Sequence, residues 1–201
     1  MGCGARRRSL AVRQARTARL ILALPQPGHA AAALDFHVRA WPHLKRWFPP
    51  VPPEFDTFAY WQEMVVKAHD AYTHGSAIRL WISPKAAPDK VIGTIGFSQI
   101  VRGPFCNCVL GYQIDQAHQG QGLMHEALQA SIRHLFSEQK LHRINANYRP
   151  ENVRSGRLLA RLGFHIDGFA KNYLFIDGDW RDHILTSLIN DGFQANWIKT
   201  T

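Results

Sequence analysis

The run Gln119-Gly120-Gln121-Gly122-Leu123-Met124 constrains this chain more than any other stretch. Before it, Cys108 to Ile114 reads as an apolar strand. After it, Gly122 to Phe136 carries Leu123, Ala127, Ser131 and Leu135 on one helical row, with Met124, Leu128 and Ile132 beside them. A strand must therefore pass into an amphipathic helix within a few residues, through two positions that lack a Cβ. The first amides of such a helix have no intrahelical acceptors, and the helix dipole favours negative charge in front of them. Glycine at 120 and 122 lets the backbone approach a pyrophosphate closely. Two other phosphate-binding patterns do not fit, because no Gly-Lys-Ser/Thr follows and the full G-x-G-x-x-G is absent. A tight turn without any ligand satisfies the same two glycines, so the pair alone leaves both readings open.

The rest of the chain supplies the context of that turn. Arg19 to Leu24, ended by Pro25, reads as a first strand, and Ala30 to Trp41 as a helix that Pro42 stops. Pro49, Pro50, Pro52 and Pro53 form a hinge, after which Phe55 to His74 has the spacing of a second helix, closed by Gly75. Ser76 to Ser83 and Val91 to Val101 read as a hairpin, and with Cys108 to Ile114 they make an antiparallel meander. Further on come a strand at Arg143 to Asn147, a helix at Asn152 to Arg161 ended by Gly163, and strands at His165 to Ile176 and Trp180 to Ile189. No internal repeat interrupts this order, which is that of a mixed α/β domain around a central twisted sheet. The domain is expected to span 17–190, between an arm at 1–16 and a tail at 191–201.

The formal net charge of +9 points to a polyanion until the charges are located. Arg6, Arg7, Arg8, Arg13, Arg16 and Arg19 lie in the first nineteen residues with no acid among them. Of the 24 basic residues, 18 then remain against 15 acidic ones, a net +3 that gives little support to nucleic-acid binding by the body. The arm reads as a solvated, disordered tail, with a weak ribosome or RNA contact as the alternative. No apolar stretch of the length that a signal peptide or a spanning helix needs is present, so a cytoplasmic protein without membrane contact is expected. Three cysteines, Cys3, Cys106 and Cys108, fit a reducing compartment. The last two read as residues of one strand face without disulfide geometry, and no His or Cys cluster suggests a metal.

With Gln119, Gly120, Gln121, Gly122, Leu123 and Met124 in place, the chain resembles the GNAT superfamily of acyl-CoA N-acetyltransferases, whose motif is Q/R-x-x-G-x-G/A. Met124 stands where the family's final small residue would be. It is expected to narrow the space near a phosphate without removing a backbone donor. The resemblance is strongest to the ribosomal-protein-alanine N-acetyltransferases. It is carried by Ile100 to Gly103, Leu110 to Ile114, Gln119 to Leu128, His142 to Tyr148, Asn152 to Phe164 and Lys171 to His183, and it runs from about Thr17 to Leu188. It implies a GNAT-like fold with a mostly antiparallel sheet flanked by helices. It also implies acetyl-CoA as co-substrate, and as acceptor a protein N-terminus, at an alanine of a small-subunit ribosomal protein.

The resemblance further implies that main-chain groups of Tyr112 and Ile114 bind pantetheine and face the thioester oxygen, that Asn152 holds the pantetheine arm, and that Ser155 protonates the leaving thiol. Beside this stands a plainer reading, in which Asn152 caps its helix and Ser155 begins a buried stripe with Leu158, Leu159 and Leu162. The carboxylates that related enzymes use as bases are replaced by Val109 and Leu174. A terminal amine of pKa about 7.7 to 8.0 is on the order of one-tenth neutral at pH 7, so a water relay suffices. Tyr173, Asp177 and His183 are the remaining candidates; Tyr173 reads equally as core, and His183 as part of an ion network with Trp180, Arg181 and Asp182. Trp41 and Trp47 fit either an acceptor groove or the core, and Arg154 and Arg157 either CoA phosphates or solvent. His125 and His134 fall off the apolar row and read as solvated. Two alternative functions fit the same donor-side motifs: an acetyltransferase for a small amine (a polyamine, amino acid or antibiotic), and a non-catalytic ribosome-binding or assembly module.

Overall fold

The computed structural model describes residues 14–198. Among them, eight strands form one sheet: β1 (Gln14–Arg16), β2 (Leu20–Ala23), β3 (Ile78–Pro84), β4 (Gly93–Val101), β5 (Asn107–Ile114), β6 (Arg143–Tyr148), β7 (His165–Ile176) and β8 (Asp179–Ile189). They lie in the order β1-β2-β3-β4-β5-β6-β8-β7. Among the described residues only β5 and β6 run parallel. The meander expected from the apolar runs is β3-β4-β5.

Side-chain alternation along the strands fills two cores. Leu80 and Ile82 of β3 join Ile95, Leu110 and Ile144 against α3 (Leu123–Glu138) and α4 (Val153–Arg161), which contribute Leu128, Leu135 and Leu159. Trp81, between Leu80 and Ile82, points the other way. It packs with Val91 against α1 (Ala30–Leu44) and α2 (Phe58–Thr73), which supply Phe36, Ala40, Trp61 and Val65. The whole predicted row of α3, including Ser131, is buried. At about 1.5–3 kcal/mol for each fully buried large apolar side chain, these faces hold the helices to the sheet.

Four sequence expectations need correction. Pro42 does not stop α1, which runs on to Leu44. The carbonyl deprived of an N–H partner is that of Val38, on an exposed turn where water can satisfy it, while the last turn buries Leu44. The second helix begins at Phe58, not Phe55, because Pro53–Asp56 forms a separate 3-10 turn and the Thr57 hydroxyl caps α2 by accepting from the Tyr60 amide. Cys106 lies outside β5 at φ 37°, so it does not share a strand face with Cys108, although both are buried free thiols. Finally, Gln14–Arg16 pairs with β2, so these three residues belong to the sheet and not to an arm. Residues 1–13, with Arg6, Arg7, Arg8 and Arg13, lie outside the described residues, as does Cys3.

Candidate active site

The pairing of β5 with β6 stops early. Its register runs Asn107 to Arg143, Cys108 to Ile144 and Val109 to Asn145, and then the strands part. Beyond that point β5 stays on β4 as far as Ile114, and β6 stays on β8 as far as Tyr148. The Asp115 amide donates to the Ile92 carbonyl at 2.8 Å, which sets the alternation on the β4 side. Gln113 therefore turns its main-chain groups toward β4, while Tyr112 and Ile114 turn theirs into the gap. Both main-chain positions expected to meet pantetheine face this opening.

At the end of β5, Asp115 is buried and caps the following 3-10 turn by accepting from the Ala117 amide at 2.9 Å. Arg39 of α1 reaches the same carboxylate. The chain then enters the glycine turn, where Gly120 and Gly122 have φ of 76° and 74°. This left-handed backbone costs a side chain roughly 1–2 kcal/mol and explains both glycines. A Cβ at Gly120 would meet nothing within 4 Å, so the surface above the turn is open. The first intrahelical bond of α3 runs from the Glu126 amide to the Gly122 carbonyl at 3.0 Å, which leaves the amides of Leu123, Met124 and His125 without helical acceptors. The side chains of Leu123 and Met124 are buried in the core. Met124 therefore turns away from the turn's outer surface, and the narrowing expected from its size does not occur.

Gln119 serves differently. Its amide donates to the Gln116 carbonyl at 3.2 Å, and its side-chain oxygen accepts from Arg154 of α4. Its side-chain nitrogen lies 3.1 Å from His43 Nε2, which also lies 3.2 Å from the Ile114 carbonyl. As an acceptor that ring nitrogen takes the Gln119 hydrogen; as a donor it bonds Ile114, so its tautomer selects one of the two. Gln119 thus ties α1, α4 and the β5 edge to the turn. The Gln121 side chain donates to the Ala117 carbonyl at 2.9 Å, and the Gln121 carbonyl accepts from Arg19 at 3.0 Å.

Asn152 caps α4, its side-chain oxygen accepting from the Ser155 amide at 3.2 Å. The Ser155 hydroxyl lies 2.7 Å from the Tyr112 hydroxyl, across the gap between α4 and β5. Burial pushes the Tyr112 phenol up to about 12, with the Ser155 hydrogen bond pulling it back and Tyr148 adding to the rise. Gly156 lets α4 come this close, since a Cβ there would sit 2.8 Å from the Tyr148 ring. The capping and catalytic readings of Asn152 are geometrically compatible.

The other candidates fall apart in space. Tyr173 is 45% exposed rather than core, and its hydroxyl accepts from Asn147 at 3.0 Å. His183 is buried with Nδ1 3.0 Å from the Arg181 carbonyl, while Arg181 pairs with Asp179 at 3.5 Å, so among the described residues no ion pair includes His183. Asp177 and Gly178 line an open cavity of about 400 Å³ together with Trp41, Lys45, Phe48 and Val51. Trp41 packs on Phe55 with ring centroids 4.7 Å apart, as the core reading expects, and also lines this cavity. Trp47 is held by the guanidinium groups of Arg46 and Arg149, each 5.2 Å from its ring. Arg157 is exposed, and His125 and His134 are half-buried rather than fully solvated. Among the described residues no group of three or more His, Cys, Asp or Glu is arranged to hold a metal ion, and no helix is long and apolar enough to cross a membrane.

Sequence reasoning missed the side chains of Tyr112, His43, Arg19 and Glu126. Glu126 gave one weak sign, an acid in the first turn of a helix, but its partner Arg19 is 107 positions away.

Residues 19–165 match the acetyltransferase (GNAT) domain family. The [ribosomal protein uS5]-alanine N-acetyltransferase of Escherichia coli is 45% identical over 175 residues, covering 86% of this chain and 88% of that protein. The solved ribosomal-protein-S5-alanine acetyltransferase of Vibrio fischeri superposes with a TM-score of 0.86 at 35% identity, over 90% of this chain and 98% of its own. Mycobacterium smegmatis RimJ, solved in complex with CoA-disulfide, gives 0.82 at 25% identity, over 89% and 87% of the two chains. With its strand gap and glycine turn inside the matched span, this chain belongs to the GNAT acetyltransferase family.

Proposed function

We propose that this protein transfers the acetyl group of acetyl-CoA to the N-terminal α-amine of a protein, at an alanine terminus of a small-subunit ribosomal protein, by direct attack in a ternary complex. The observation that carries the reading is the meeting of three features at one opening: the parted β5 and β6, the outward amides of the glycine turn, and the Ser155 hydroxyl. The 45% identity to the Escherichia coli uS5-alanine enzyme supports the choice of acceptor.

The residues present fit acetyl-CoA. The glycine turn is open above Gly120, and the amides of Leu123, Met124 and His125 are donors suited to a diphosphate. The inward main-chain groups of Tyr112 and Ile114 match the alternating amide groups of pantetheine in the manner of an added strand. Acetyl-CoA brings an activated thioester carbonyl. A main-chain amide on this edge stabilises the oxygen charge as the amine nitrogen adds to that carbonyl. As the carbon–sulfur bond breaks, sulfur takes the hydrogen of the Ser155 hydroxyl. Nitrogen loses its surplus proton to water, and water returns one to Ser155. Asn152 holds the first turn of α4 in place for this step.

The test is CoA-thiol release with an alanyl peptide bearing a free terminus. Turnover is expected to disappear in Gly122→Glu, whose side chain forces an acid into the anion cradle; no wild-type turnover above that control defeats the reading. Intact masses of ribosomal proteins from cells with and without the enzyme test the acceptor. One small-subunit protein is expected to differ by one acetyl group, and an unchanged set counts against a ribosomal target.

A further inference from the structure

We propose that Tyr112 is a positioning residue that aims the Ser155 hydroxyl at the departing sulfur. This rests on the reading of Ser155 as the source of the thiol's proton. The two oxygens lie 2.7 Å apart, on elements 43 positions distant in the chain.

A serine hydroxyl has one hydrogen and two lone pairs. It gives its hydrogen to sulfur only when that hydrogen is not already engaged, and a serine on a helix has a competing use for it, a bond back to the carbonyl three or four positions earlier, here at Asn152 or Glu151. Asn152 does not settle the matter, because it binds the Ser155 amide and leaves the hydroxyl free to rotate. Tyr112 does. When its phenol donates to Ser155 Oγ, one serine lone pair is fixed and the serine hydrogen turns away from the tyrosine. The alternative acceptor for the phenol, the Ser155 carbonyl, is at 3.5 Å and makes a poorer bond. Burial keeps the phenol protonated, so it remains a donor through the neutral range.

A phenylalanine would fill the same place against the core that α4 covers. The hydroxyl is therefore a polar group set into a half-buried position, and such a group is costly unless bonded. Its partner is the one hydroxyl that the reaction uses. Tyr112 also turns its main chain into the gap between β5 and β6. One residue thus sets both the edge along which the thioester is laid and the direction of the proton donor beside it.

The experiment is a double-mutant cycle on the full chain with Tyr112→Phe, Ser155→Ala and both together, assayed with acetyl-CoA and the alanyl peptide. Tyr112→Phe is expected to lower kcat on the order of tenfold, the worth of one hydrogen bond, with KM for acetyl-CoA within about twofold of wild type. The double variant is expected to be no slower than Ser155→Ala, because Tyr112 acts through the serine. Replacing Tyr112 by 3-fluorotyrosine, which keeps the hydroxyl, is expected to retain kcat and serves as the second variant if Tyr112→Phe folds poorly. Wild-type kcat in Tyr112→Phe, losses that multiply in the double variant, or a 3-fluorotyrosine protein as slow as Tyr112→Phe overturn the proposal while leaving Ser155 in its role. Ser155→Ala at the wild-type rate overturns the serine's role and this proposal with it, and a wild-type protein inert toward alanyl peptides overturns all three readings.

Discussion

Arg19 Nε lies 2.7 Å from Glu126 Oε2, and the Arg19 amide lies 2.8 Å from Glu126 Oε1, so the residue just before β2 grips the first turn of α3 at two points. The same carboxylate accepts from Thr17 at 2.6 Å, and the Arg19 guanidinium reaches the Gln121 carbonyl within the glycine turn. Burial acts to raise the Glu126 carboxyl, but the bonds from Thr17 and Arg19 outweigh it and hold it below the ordinary 4.5. A depressed carboxylate stabilises the fold above its unfolded pKa and loses that contribution as pH falls through the folded value. Glu126→Gln is therefore expected to cost about 0.5–1 kcal/mol at pH 7, discounted for the exposure of Arg19, and to flatten the fall of Tm below pH 4.5. It is also expected to raise KM for acetyl-CoA, since the turn loses its anchor. Thermal melts from pH 3 to 7 check the first part, and a variant whose acid limb matches wild type sinks it.

Asp115 closes β5, and Arg39 ties it to α1, so one buried carboxylate links α1 to the start of the glycine turn. Asp115→Ala removes the charge partner and the cap on Ala117 together. The expected loss is about 2–3 kcal/mol, less than for a fully buried pair because Arg39 is partly solvated. For a domain of this size that lowers Tm by roughly 5–10 °C. Asp115→Asn, which retains an oxygen for the Ala117 amide, is expected to lose less. Calorimetric Tm values for both variants decide the matter, and equal losses would assign the whole effect to the charge.

Most of the architecture was legible because it rests on local periodicity. The apolar row from Leu123 to Leu135 located α3 and its buried face, and short apolar, β-branched runs marked β3, β4 and β5. Failures came where a local rule met a tertiary one. Pro42 breaks helices in general, yet here it falls on an exposed face one turn from the end. β1 is too short to carry a pattern, and it exists only because β2 offers an edge. At the site, the sequence could indicate the turn and the serine, whose neighbours lie within a few positions. It could not indicate that Tyr112 meets Ser155 or that His43 meets Gln119, since contacts between distant elements follow from the way α1 and α4 settle on the sheet.

Gly156 offers a steric test of how α4 is seated. A Cβ there would lie 2.8 Å from two ring carbons and the hydroxyl oxygen of Tyr148, closer than packed atoms tolerate. Gly156→Ala is expected to push α4 off β6 at a cost of about 1–3 kcal/mol and to move Ser155 from Tyr112, lowering kcat more than it raises KM for acetyl-CoA. Trimming the ring in Gly156→Ala/Tyr148→Leu relieves the contact and is expected to recover part of both Tm and kcat. If the double variant is no better than Gly156→Ala, the ring is not what the new methyl meets.

His37 makes stability sensitive to acid. It stacks on Trp61 with ring centroids 3.9 Å apart and touches Phe36 and Phe55, and burial, followed by the nearby Arg79 charge, pushes its pKa down to about 3. The unfolded chain binds a proton at this residue below about 6.5, whereas the folded chain does not until near 3, so folding stability falls as pH drops through that window. Between pH 7 and 5 the loss from this residue alone is about 2 kcal/mol. His37→Phe keeps a ring against Trp61 and removes the titration. Urea unfolding at pH 7 and pH 5 is expected to give wild type a difference larger than that of His37→Phe by about this amount. An equal difference in the two proteins would mean that His37 takes up its proton in the folded state, and that the aromatic cluster of α1 and α2 opens to admit it.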